Sequence, residues 1–150
     1  MAETADRAQL IADGFQQVYV ELDWWDGPRA GIVDLDGVPH YFERHEDDAA
    51  ERLDEYYLWP AEQHLVALER ESWLIFVRWN RQYEAGEASV EAHPAHGGVD
   101  PRYDELTGLL APHRRVPSDA RRLVASWRFD GGERYRSDGT DCWVRWSPST

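Results

Sequence analysis

Two carboxylates, two tryptophans and an arginine fall within the stretch Asp23-Trp24-Trp25-Asp26-Gly27-Pro28-Arg29, and Gly37-Val38-Pro39-His40-Tyr41-Phe42-Glu43 follows soon after. Residues of these types can build a small-molecule pocket. Trp24 or Trp25 would wall it, and Asp23, Asp26, Arg29, His40 and Glu43 would supply directional polar contacts. A histidine beside a carboxylate can also exchange protons as a general acid–base pair, which needs no cofactor. The candidates for that role are His40, His64, Asp23 and Asp26; the ligand-binding candidates are Trp24, Trp25, Asp26, Arg29, His40 and Glu43. A plainer reading covers the same residues. Asp26-Gly27-Pro28 is a turn whose carboxylate bonds backbone amides, Arg29 pairs with an acid and one tryptophan is core. His64, in the first turn of a long helix, suits a general base and an ordinary exposed histidine equally.

Other signals are weaker. His93 and His96 lie three apart, with His113 further on, and two histidines with a carboxylate such as Asp100 can hold zinc. Their Gly/Pro-rich surroundings lack the rigid support that metal ligands need, so the expectation is solvated loop histidines and no metal. Asp34-Leu35-Asp36-Gly37 begins like a calcium loop, but Phe42 and His45 stand where later ligands belong. Cys142 alternates with Val144 and Trp146 and reads as a buried, inert thiol. No nucleophile elbow, phosphate-cradling loop or dinucleotide fingerprint occurs, and Ser72 reads as a small packing residue. No cofactor is expected.

The stretch Asp23 to Gly31, with Gly37, Pro39, His40 and Phe42 after it, resembles the opening of an uncharacterised family of small bacterial proteins. The helix tryptophans and the closing Trp143-Val144-Arg145-Trp146 fit the same resemblance. It covers about a third of the chain and implies no activity, substrate or cofactor.

The 150 residues suit one domain with a core of its own. An apolar fraction of 42% with eight Trp, seven Tyr and four Phe excludes a disordered acidic chain. No apolar run reaches the roughly 20 residues of a membrane span, and Met1 to Arg7 lacks the layout of a signal peptide. A single cysteine excludes an intrachain disulfide and fits a reducing cytoplasm. The net charge of −13 argues against a nucleic-acid partner. That charge is uneven: residues 1–75 carry 18 acids and 5 arginines, residues 76–150 carry 11 of each. All 16 bases are arginine and the sole asparagine is Asn80, a pattern that codon bias in a GC-rich genome produces unaided.

The chemistry-bearing residues must be positioned by the elements around them. Residues 3–14 suit a short or frayed helix stopped at Gly14. Phe15 to Trp25 alternates as a strand, Val18, Val20, Leu22 and Trp24 pointing one way and Tyr19, Glu21, Asp23 and Trp25 the other. Gly31–Leu35 and Val38–Glu43 form a hairpin about Asp36-Gly37, with Pro39 marking an edge or a bulge. His45 to Glu51 is an acidic connection, and Tyr56–Trp59 a strand. The long helix opens at Pro60 and runs to Gly86. Leu65, Leu68, Ser72, Ile75, Phe76, Trp79 and Tyr83 make its apolar stripe. Val66, Trp73, Leu74 and Val77 widen the stripe, so the helix should be contacted on two sides. Residues 85–101 form a long loop, Arg102–Leu110 a short helix, and Arg121–Phe129 and Cys142–Trp146 the last strands. The expected fold is α+β: a curved antiparallel sheet of about five strands, a roll or open barrel, cradling one long central helix.

Two functions follow. The first is a non-enzymatic, immunity- or inhibitor-like interaction module that holds a basic protein through its acidic half. The alternative is a small-molecule binding protein or cofactor-free enzyme in whose cavity at least three of Asp23, Asp26, Arg29, His40 and His64 converge. A homodimer with a structural role is the third possibility, using whichever of Trp143 and Trp146 faces outward.

Overall fold

The computed structural model describes residues 5–45 and 54–149. The expected acidic connection at residues 45–51 lies outside these, apart from His45. In chain order the elements are helix α1 (Arg7–Ala12), strands β1 (Gln16–Gln17), β2 (Val20–Trp24), β3 (Pro28–Leu35), β4 (Val38–Arg44) and β5 (Glu55–Pro60), helices α2 (Gln63–Glu84) and α3 (Pro101–Leu110), and strands β6 (Arg121–Phe129), β7 (Tyr135–Arg136), β8 (Gly139–Thr140) and β9 (Cys142–Pro148). Among the described residues no helix is long and apolar enough to cross a membrane.

Seven strands form one antiparallel sheet in the order β1-β9-β6-β5-β4-β3-β2, where about five were expected. The extra ones arise because the alternating run from Phe15 to Trp25 serves two neighbours. Its first part pairs with β9 and its second with β3. At the junction Val18 N–H donates to Cys142 O (2.9 Å) and Tyr19 N–H to Ile32 O (3.2 Å). The two outer strands are therefore consecutive in the chain, and the sheet curls until they meet. β7 and β8 form a separate two-stranded ladder too short to leave a periodic signal.

The curl encloses side chains of the sheet itself. Val33, Phe42, Tyr56, Leu58, Leu123, Ala125, Cys142 and Val144 share the inner face, with Trp127 and Trp146 against them. Rings of Phe42, Tyr56, Trp127 and Trp146 meet edge-on or tilted at 5.5–6.0 Å between centroids. The long helix is thus not cradled inside the sheet. It lies on the outer face, where Val66, Trp73 and Val77 pack with Ile32, Tyr41 and Trp59. Its second contact is α3, through Leu65 against Leu106 and Leu110. The reason is the burial of both faces of β4, where His40, Tyr41 and Phe42 are buried in succession.

Several local expectations change. Pro60 ends β5, and Glu62 is the residue that precedes the first turn of α2. β4 is an inner strand; Pro39 precedes the β4–β5 ladder, which starts at His40↔Pro60, so its missing N–H falls at the ladder's end. The hairpin turn has Asp36 at φ 54 and Gly37 at φ 77, as a type I′ turn requires. Residues 85–101 contain two 3₁₀ turns, Val90–Ala92 and Pro94–His96, the second capped by the His93 side chain. α1 is capped by Asp6 rather than frayed, and its Leu10 packs with Phe15 and Trp143. Trp143 is therefore covered by α1 and Trp146 lies inside, so neither ring is free for a partner copy.

Gly31 allows the closest approach in the curl. A Cβ there would stand 2.4 Å from Val20 O and 2.9 Å from the Phe42 ring. Gly31→Ala should cost about 1–3 kcal/mol, read as a lower urea midpoint with an unchanged slope. Asp130 gives a pH-dependent test. It accepts from Arg136 Nη1, Trp143 Nε1 and Gly132 N, each at 2.9 Å. Burial pushes its carboxyl up, but these donors outweigh it and hold the pKa below the usual aspartate value. The folded form therefore binds its proton later than the unfolded chain as pH falls. Its contribution, full above the unfolded value of about 4, should be lost on acidification through the lower folded value. Asp130→Asn should flatten that part of the stability profile.

Candidate functional site

Regular alternation would send consecutive β2 side chains to opposite faces. The β2–β3 register shifts between Glu21 and Asp23 and again between Asp23 and Trp24. Such irregularities re-aim side chains. Here Val20 to Trp24 all line one cavity of about 290 Å³. Its opposite wall is one face of α2, where Glu69, Ser72, Trp73 and Phe76 follow the three-and-four spacing of a helix. His93 and Ala95 of the 3₁₀ segment, Tyr103 of α3, Tyr135 of β7 and Arg114 complete it.

The floor is a buried ionic network. Glu69 has no exposed surface, and Arg114 grips it with Nε to Oε2 (2.9 Å) and Nη2 to Oε1 (2.7 Å). Tyr41 OH donates to the same Oε2 at 2.8 Å. Burial and the Glu69 carboxylate together drive the Tyr41 phenol far up, so it remains a donor. Arg114 is held more firmly protonated, because Glu69 outweighs the penalty of burial. Burial also raises the Tyr103 phenol, against the opposing pull of Arg114 and Ser72.

The rim carries two further groups with shifted acidities. Burial lowers the His93 pKa, with His96 adding to the effect. Its Nδ1 accepts Ala95 N–H at 3.0 Å, so the neutral ring carries its proton on Nε2. Burial raises the Glu21 carboxyl against the opposing Arg134, whose Nη2 lies 3.4 Å away. The Arg134 guanidinium also sits 4.2 Å from the Trp24 ring centroid and 4.9 Å from that of Tyr135.

A second cavity of about 590 Å³ adjoins the first, sharing Leu22, Asp23 and Arg114 with it. Arg29, Ala30, Glu43, Arg44 and Tyr57 line the rest.

The sequence candidates are divided among several places. Asp23 lines both cavities, Trp24 the first, and Arg29 and Glu43 the second. Trp25 is 71% exposed, and its carbonyl accepts Arg29 Nε at 3.2 Å. Asp26 is an exposed turn residue at φ 55. His40 is buried and donates through Nδ1 to Val38 O at 2.8 Å, three residues along β4 from Glu43 and on the opposite face. His64 is exposed, its Nδ1 3.3 Å from Glu62. Of Asp23, Asp26, Arg29, His40 and His64, Asp23 and Arg29 line the second cavity together, and the other three line neither of the two cavities. β4 directs His40 inward, while Asp26 stands at an exposed turn and His64 at a helix end. His93 and His96 lie 5.8 Å apart by ring centroid, and among the described residues no three His, Cys, Asp or Glu gather as metal ligands do. Cys142 is buried, and burial drives its thiol well up.

Sequence reading missed Glu69, Tyr103, His93 as a wall residue and Arg114. Glu69 did leave a signal: it stands four residues after Leu65 and four before Trp73, a charge within the apolar stripe. The acidic first half also has a role that the tally of charges concealed. Glu21, Glu55, Glu69 and Glu71 pair with Arg134, Arg122, Arg114 and Arg102, all from the second half.

Removing one partner of a buried pair strands the other charge. Arg114→Met should destabilise the fold by about 3–5 kcal/mol. The double variant Glu69→Gln/Arg114→Met should lose less than Arg114→Met alone. Urea titrations of the three proteins measure both, and equal losses would show that Glu69 is not the stranded charge.

Comparison of the chain with family models, with curated proteins and with solved structures finds no match, so its function has to be argued from the site.

Proposed function

We propose that the chain is a small-molecule binding protein whose ligand sits in the paired cavities between β2, α2 and the segment from His93 to Arg114. The observation that carries this reading is the irregular β2. It turns Asp23 and Trp24 toward a cavity that already holds Trp73, Phe76 and Tyr135 and has Arg114 in its floor. Ring walls with a few fixed polar groups are the usual make-up of a ligand pocket, and the volumes fall in or next to the usual range of about 300–1,000 Å³. The Tyr41–Glu69–Arg114 network supports the reading because it fixes the floor before any ligand arrives, which lowers the ordering cost of binding.

The alternative of an acidic surface for a basic protein has less to draw on. Four of the acids behind it already face arginines within the chain. Of the acid–base candidates His40, His64, Asp23 and Asp26, Asp23 lines the cavities and the two histidines that would partner it do not.

Ala95 is exposed and lines the first cavity, so Ala95→Trp should plug its mouth without disturbing the core. In a fragment screen by thermal shift, at least one compound should raise the melting temperature of the wild type by several degrees and lose that effect in Ala95→Trp. A screen without hits, or hits indifferent to the plug, would remove the reading.

A further inference from the structure

We infer that the ligand of the paired cavities is a zwitterion, its ammonium group in the aromatic cavity and its anionic group among the arginines of the neighbouring one. This rests on the binding function proposed above and adds the chemical class of the ligand. The first cavity is lined by the carboxylates Glu21, Asp23 and Glu69 and one guanidinium, Arg114; Glu69 is paired with Arg114 and Glu21 with Arg134, which leaves the Asp23 carboxylate as the excess charge. That guanidinium is closed on Glu69 by two hydrogen bonds, so it has little left to offer an anion. The remaining walls are ring faces and edges, from Trp73, Phe76 and Tyr135 among others. Ring faces beside excess negative charge attract an organic cation. The fold uses the same wall for a cation of its own, with Arg134 over Trp24 and Tyr135 and paired with Glu21.

The second cavity has a more even balance. With Arg114 closed on Glu69, Arg29 and Arg44 face it against Asp23 and Glu43, so it offers guanidinium groups where the first cavity offers none, and Tyr57 adds a phenol. An anion alone would meet repulsion from the first cavity, and a cation alone would leave the guanidinium groups of the second unused. A neutral ligand would gain from neither field. A molecule with one charge of each sign gains from both, provided it spans the shared wall of Leu22, Asp23 and Arg114. Asp23 is the hinge of this arrangement. It is exposed and belongs to both cavities, and its carboxylate has no hydrogen bond or ion pair among the described residues.

Three probes built on one four-carbon skeleton separate the contributions: γ-trimethylaminobutyrate, butyltrimethylammonium and butyrate. Each is titrated into the intact protein and followed by tryptophan fluorescence and calorimetry. The zwitterion should bind at least about tenfold more tightly than either single-charge probe. Asp23→Asn should weaken the zwitterion and the ammonium probe and spare butyrate, while Arg44→Gln should weaken the zwitterion and butyrate and spare the ammonium probe. Butyrate or butyltrimethylammonium binding as tightly as the zwitterion would overturn the assignment, as would indifference of all three to both substitutions. If none of the three binds while a screened compound remains sensitive to Ala95→Trp, the ligand class is wrong and the cavity still binds. If nothing is sensitive to the plug, both readings fall together.

Discussion

A carboxylate without solvent contact must be paired or protonated, since an isolated buried charge costs far more than the few kcal/mol by which a domain is stable. Glu69 is paired, and the network it forms joins three parts of the chain. The carboxylate belongs to α2, the Tyr41 hydroxyl to β4 and the Arg114 guanidinium to the 3₁₀ turn that follows α3. Satisfying this one group therefore sets where α2 lies on the sheet and how far the segment after α3 reaches back. It also places Ser72, Trp73 and Phe76, which share the Glu69 face of the helix, opposite β2. The cavity is a consequence of that placement. Val66 and Val77, on either side of Glu69 along α2, belong to the same core as Ile32.

The curl of the sheet is the complementary constraint. With both faces of β4 buried, two cores need covering. The inner one is covered by the sheet itself, which becomes possible once one run of chain pairs with β9 and then with β3. The outer one needs helices, and α1 and α2 divide it, α1 over Trp143 and α2 over Tyr41 and Trp59. Two aromatic cores explain how so many tryptophans and tyrosines fit into a chain of this length. They serve opposite faces of one sheet.

Much of this architecture is legible in the sequence, for local reasons. Arg121 to Phe129 alternates cleanly and forms β6 over those same residues. Asp36-Gly37 dictates its turn type, and the stripe from Leu65 to Tyr83 is a helix. What is not legible depends on distant partners. Alternation showed that residues 15–25 are extended but not that they change neighbours at Val18. A buried sheet face and a buried helix stripe call for each other in the sequence, and nothing local says which side of the sheet the helix takes. The candidate site divides in the same way. Asp23, Trp24, Arg29 and Glu43 stand on the cavities because a dense cluster of polar and aromatic types at a strand end tends to border open space. Arg114 is 45 residues from Glu69, and one arginine among sixteen gives no sign of its partner. His40 looked equally eligible and is spent on its own strand's backbone.

The irregular end of β2 is where the chain departs from the rule that the rest of the sheet obeys, and such departures persist only where something compensates them. The local compensation is visible. Trp24 packs edge-on against Phe129 at 6.3 Å and lies under the Arg134 guanidinium, so the displaced ring keeps its contacts. Asp23 receives no such compensation: among the described residues its carboxylate has neither a hydrogen bond nor an ion pair, although Arg29 and Arg114 line the same cavity. A regular strand would have kept the ladder in register and sent Asp23 and Trp24 to opposite faces. The cost of the irregularity falls on backbone pairing, and its visible product is a carboxylate that lines both cavities. Packing accounts for the tryptophan; the aspartate has no such account within the fold, and the proposed ligand would supply one.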